Sequence, residues 1–154
     1  MKTMMMTTTT MKAVLVAVLL VIANLCGAAG NKFDSEITGK PGTILPGHGM
    51  QDQCSVYAVA LTGAMSAKGI KSAWVAIKWQ GIELGHSFVI FERGGKLWAI
   101  DNEMASPVRV SGKTDLEIAK RLYSLRSSRP VEGVCIPMMG FKVTEATPIG
   151  DLLN

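Results

Sequence analysis

Residues 70–101 read IKSAWVAIKWQGIELGHSFVIFERGGKLWAID, and this stretch decides the fold class. Ile70 to Trp79 carries Trp74, Val75 and Ile77, Gln80-Gly81 is a turn signal, and Ile82 to Glu92 holds the apolar run Phe88 to Phe91. Arg93-Gly94-Gly95 turns the chain again, and Lys96 to Asp101 follows as a third run. Short strands of aromatic and β-branched residues joined by tight glycine turns predict antiparallel hairpins.

Working outward, Cys54 to Lys68 reads as a helix ended by Gly69. Its small residues Ala58, Ala60, Gly63, Ala64 and Ala67 let it lie close to whatever it packs on. Upstream, Pro41-Gly42, Pro46-Gly47 and Gly49 predict that 31–53 is an extended lead-in with no long helix. Downstream, Pro107 starts a short extended piece, and Thr114 or Asp115 caps a second helix running to about Leu125. Ile118, Leu122 and Leu125 share one face of that helix, and Pro130 stops it. The run VEGVCIPMM from Val131 is a last strand, expected at an edge because Pro137 interrupts it. Helix, three-strand meander, helix and strand make an α+β fold in which a Cys-bearing helix packs on an antiparallel sheet.

The chain has 154 residues, with 48% apolar and 18% charged, which excludes collagen-like and disordered readings. Its formal charge is +4, with no Lys/Arg run of the kind that binds nucleic acid. Two of the cations, Lys2 and Lys12, lie in the first thirty residues, which hold no acid. There Lys12 precedes the unbroken apolar run Ala13 to Ala23, and small residues follow at Gly27 to Gly30. A charge, a short apolar core and a small-residue site form a secretory signal, and a membrane span needs ~20 apolar residues. Residues 1–30 are therefore expected to be an export leader and 31–154 the working domain, secreted or periplasmic. That length buries roughly two thirds of the unfolded surface. It retains Cys54 and Cys135, too few for a disulfide framework, and no metal-ligand spacing.

Three residues invite weighing together: Cys54 opening a helix, His86 in GHSFVIF and Asp101 closing KLWAID. Each also has a structural reading alone, as a buried small residue, a half-buried strand histidine and a turn residue. A helix N-terminus favours thiolate, and a nearby imidazole can take the thiol proton. If the hairpin loop has two residues (Gly94-Gly95) or four, Phe88 faces Asp101, and His86 shares a sheet face with both. A three-residue loop would put His86 and Asp101 on opposite faces. Trp74, Trp79 and Trp98 read as sheet packing, and Cys135 as a buried strand thiol or a disulfide partner for Cys54.

DQCSVYAVAL, GHSFVIF and LWAIDN in this order resemble the transglutaminase-like branch of the papain-like cysteine enzymes, including its exported bacterial cysteine proteinases. Gln53-Cys54, Tyr57-Ala58 and Asp101-Asn102 carry the likeness. It implies a papain-like core, Cys54 as nucleophile, His86 as base and acid, and Asp101 as the group that orients His86. The oxyanion would be met by the Cys54 N–H with a side chain from Gln51, Gln53 or His48. The chain departs from the family at Ser55, where transglutaminases often carry Trp. Gln53 and Ser55 also stand where the periplasmic proteinases carry acids associated with calcium. The expectation is a monomeric hydrolase of amide bonds in a protein or peptide substrate, with transamidation as a variant. It would need no cofactor, metal, nucleic acid or membrane span. The alternatives are a cell-wall peptidase of the NlpC type and a non-catalytic exported binding module on the same fold.

Overall fold

A computed structural model of the chain describes residues 32–81, 85–124, 126–127, 129–137 and 146–154. The expected leader, residues 82–84 of the second run, Leu125 of the second helix and Met138-Met139 of the last run lie outside these. The elements are α1 (residues 32–38), α2 (Cys54–Ser66), β1 (Ser72–Trp79), β2 (Ser87–Arg93), β3 (Lys96–Ile100), β4 (Val108–Arg109), α3 (Asp115–Tyr123), β5 (Val131–Cys135) and α4 (Ile149–Leu152). The five strands form one sheet in the order β4-β3-β2-β1-β5, with every neighbouring pair antiparallel. The α+β class and the Cys-bearing helix on an antiparallel sheet are thus observed. The last strand is at an edge as expected, and Pro137 falls just beyond it.

The lead-in is not wholly extended. Residues 32–38 are helical, and Phe33 and Ile37 seat that turn on the core. Pro41 and the glycines limit its length without forbidding it, and seven residues are too few to show a helical period. A smaller difference concerns α3, which ends at Tyr123. In the tail, on which the sequence is uninformative, Ile149–Leu152 make one further helical turn.

The sheet is covered on both faces. Val89, Phe91 and Ile100 meet α1 and α2 through Phe33, Ile37, Tyr57, Ala58, Leu61 and Met65. Val75, Ile77, Phe88, Ile90 and Ala99 meet α3 through Ile118, Ala119 and Tyr123. Burial on both faces explains the continuous apolar run of β2, whose first five residues are all buried. The three tryptophans are half-buried and pack against these two clusters.

The β2–β3 turn sets the register. Arg93 pairs with Lys96, so the loop is Gly94-Gly95, with φ of 59° and 66°. Two successive left-handed residues make the turn that suits a twisted hairpin, and glycine adopts them without steric cost. The ladder runs back to Val89 opposite Ile100, and one further step sets Phe88 opposite Asp101.

A buried carboxylate ties α1 to the segment before α2. Asp34 is fully buried; its Oδ2 accepts from Leu45 N–H at 2.8 Å and meets His48 Nδ1 at 2.6 Å. Its Oδ1 accepts from the Tyr57 hydroxyl at 3.1 Å. Removing it strands three buried polar groups, each of which costs desolvation without return. Asp34→Ala is expected to destabilise the fold by about 2–4 kcal/mol in urea denaturation. A loss no larger than that of the exposed Lys40→Ala would show that the network holds nothing.

Candidate active site

The structure brings Cys54, His86 and Asp101 together at one end of the sheet. Cys54 is the first residue of α2, and His86 lies immediately before β2 rather than within it. Asp101 follows β3 directly. His86 and Asp101 take the α3 face, through the parity that the two-residue loop imposes. The helix α2 packs on the opposite face, so its first turn comes over the start of β2 to reach them. Ser55 and Ser87, the residues after Cys54 and His86, join hydroxyls at 3.1 Å and tie the two segments. The chain before His86 passes so close to β1 that a Cβ at Gly85 would overlap the Ile77 carbonyl oxygen. His86 is held there by its own carbonyl, which accepts from Ile77 N–H at 2.7 Å.

Asp101 is fully buried, and its Oδ2 is the hub of the site. It meets His86 Nε2 at 3.0 Å and accepts from the Tyr123 hydroxyl at 2.9 Å and from Arg126 Nη1 at 2.8 Å. Its Oδ1 accepts from Glu103 N–H at 2.9 Å. Burial pushes the carboxyl up, but the bond to and charge of His86, the Tyr123 hydroxyl and the Arg126 guanidinium outweigh it, so it is held below its usual range. The Tyr123 ring also stands edge-on to His86 at 5.3 Å and walls it in. Burial and the neighbouring carboxylate push the Tyr123 hydroxyl far up, so it acts only as a donor.

With Nε2 on Asp101, Nδ1 is the ring nitrogen left for Cys54. The hydrogen bond from His86 is the largest influence on the half-buried thiol. Burial opposes it, while the charge of His86, the Ser87 backbone and the Ser55 hydroxyl assist, and the pKa falls to about 7. Burial lowers His86, but Asp101 and Cys54 together raise it to about 9. Between those values the pair exists mainly as thiolate and imidazolium, two macroscopic titrations shared by both groups. Cys54 and Cys135 are both free thiols, and burial pushes Cys135 up, opposite to Cys54.

The three oxyanion candidates are placed differently. His48 is bonded to Asp34, and its ring packs on Tyr57 at 4.7 Å, which gives it a supporting position. Gln51 is exposed. Gln53 is half-buried at the N-cap of α2, and its side chain makes no capping bond. The N–H groups of an uncapped first turn have no intrahelical partner and suit a developing negative charge.

Tyr123 and Arg126 join the site with no signal in the resemblance, whereas Asn102 stands in its Asp101-Asn102 pair without an assigned role. Tyr123 was within reach, as the polar-tipped residue four after the buried Ala119 on the same helix face. Arg126 lies past the helix end, where no periodicity guides a reading. Asn102 Nδ2 donates to the Met50 carbonyl at 2.7 Å, and the Asn102 backbone carbonyl accepts from Gly49 N–H at 2.6 Å. That clamp fixes the segment before Cys54 to the residue after Asp101. Among the described residues no group of three or more His, Cys, Asp or Glu could hold a metal ion. None of their helices is long and apolar enough to cross a membrane.

Comparison with protein-family models, curated proteins and solved structures finds no match. Chemical meaning must therefore come from the geometry itself. A lowered thiol beside an imidazole, itself oriented by a buried carboxylate, has the parts for nucleophilic attack followed by proton donation. Iodoacetamide should alkylate Cys54 with a rate that rises through about pH 7. In His86→Ala the midpoint should move up towards that of an ordinary thiol, ~8.5. A midpoint common to both proteins would dissociate the thiol from the imidazole.

Proposed function

We propose that this chain is an exported cysteine hydrolase of the transglutaminase-like type, acting on amide bonds in proteins or peptides through a papain-like site. The observation that carries the reading is the buried Asp101 carboxylate on His86 Nε2 at 3.0 Å, which leaves Nδ1 for Cys54. Support also comes from the order of the three residues along the chain and from the lowered thiol. The resemblance of their flanking sequences to that family points the same way.

In this reading the Cys54 thiolate attacks the amide carbonyl carbon, and the oxygen's developing charge meets the Cys54 N–H at the start of α2. His86, already an imidazolium, gives its Nδ1 proton to the departing nitrogen as the C–N bond breaks. A thioester on Cys54 and a free amine result. Water then attacks the thioester while His86 takes its proton, and the C–S bond breaks to restore the thiolate. An amine in place of water would transfer the acyl group instead.

Asp101 keeps Nε2 occupied and balances the imidazolium, and Tyr123 and Arg126 keep Asp101 in place. The expected pH profile rises through about 7 as the thiolate forms and falls through about 9 as the imidazolium is lost. Cys54→Ala should abolish turnover with the fold intact by circular dichroism. Asp101→Asn should slow it by ~10²–10⁴. Undiminished turnover in Cys54→Ala would remove the nucleophile from the proposal. Export rests on the leader pattern of residues 1–30, and N-terminal sequencing of the secreted form should find a start between Gly27 and Asn31. Retention of Met1 or Met11 would refute it.

A further inference from the structure

In the hydrolase reading, on which this inference rests, His86 protonates the departing amine. The half of the substrate that leaves with that amine therefore lies on the His86 side of Cys54. A depression of about 350 Å³ includes His86 in its wall, together with Trp79, Glu103, Tyr123, Arg126 and Arg129. A neighbouring depression shares Tyr123 and Arg129 with it and adds Lys120. Three cations thus meet one carboxylate along this surface.

The two arginines differ in what they have left to offer. Arg126 places Nη1 on Asp101, and its side chain stays 37% exposed, so part of its five-donor fork faces outward. Its guanidinium lies over the Tyr123 ring, 5.8 Å from the ring centre, within reach of a cation–π contact. Arg129 is exposed, and among the described residues no acid pairs with its guanidinium. Glu103 is exposed and can neutralise only one of them.

We propose that this pocket binds a carboxylate on the leaving half of the substrate, either a free C-terminal carboxylate or an Asp or Glu side chain close after the cleaved bond. Guanidinium forks match carboxylates in geometry as well as charge. Arg129 supplies the specificity, and Arg126 joins the pocket to Asp101.

The full chain is incubated with a random peptide library, once with free and once with amidated C-termini, and Cys54-dependent products are counted by mass spectrometry. Peptides with a carboxylate within two residues after the cut should be enriched about tenfold over those with Lys or Arg there, the scale of one charge-assisted contact. Arg129→Glu should abolish or invert that preference. Loss of the preference on amidation marks the C-terminal carboxylate as the source, and its retention marks the acidic side chain.

A second measurement needs no turnover. N-acetyl-glutamate is titrated into Cys54→Ala and followed at the Trp79 indole by NMR, with N-acetyl-glutamine amide as the neutral control. A saturable shift with the acid alone, lost in the Cys54→Ala/Arg129→Glu double variant, is expected. Cleavage without charge preference, or equal responses to the two probes, overturns the carboxylate pocket. If the wild-type chain cuts no peptide, the hydrolase reading fails, and the Trp79 titration still decides the pocket.

Discussion

A carboxylate sealed from water must be matched by donors, and Asp101 is matched by four. An unpaired charge at that depth would cost several kcal/mol, so the groups around it are constrained to be where they are. His86 arrives from the residue just before the neighbouring strand β2, Tyr123 from α3 and Arg126 from the chain beyond it. The Glu103 N–H closes the turn that follows β3. Each donor comes from a different part of the fold, so the site and the packing of the α3 face stand or fall together.

The end of the sheet is where such a site has to be. Cys54 belongs to a helix on one face, while His86 and Asp101 belong to the other. Only beyond the strand ends can the two sides meet without crossing the sheet. The first turn of α2 supplies unpaired N–H groups there, and the Ser55–Ser87 bond fixes how far the helix reaches over β2. Behind it, Asp34 and Asn102 pin the segment 45–50 from two directions. The thiol is therefore held by elements that also bury the α2 face of the core, and its reactivity depends on their integrity.

Much of this could be read from residues alone because the β2–β3 turn is so short. The sequence left two-, three- and four-residue loops open, and the pairing of Arg93 with Lys96 selects the two-glycine loop, whose parity sets His86 and Asp101 on one face. The helix at Cys54 was legible from Gly69 and its small residues, and the edge strand from Pro137. The helix at 32–38 was not, since its two core contacts, Phe33 and Ile37, belong to an element too short to repeat. His48 looked like a loop group open to a substrate because its partner, Asp34, lies fourteen residues away and nothing local marks the pair. The Arg126 contact is equally non-local. Local pattern gave the strands and their register, whereas long-range polar pairing had to be seen in three dimensions.

The Cys54–His86 ion pair is the central claim, and the ring nitrogens of His86 report it directly. Nitrogen-15 NMR of the full chain near pH 8, between the two titrations, should find both nitrogens of His86 protonated. Cys54→Ala should move the loss of that proton to lower pH, because the thiolate no longer adds to what Asp101 contributes. A neutral His86 in the unmodified chain at that pH would contradict the ion pair and leave Cys54 an ordinary thiol at the end of a sheet.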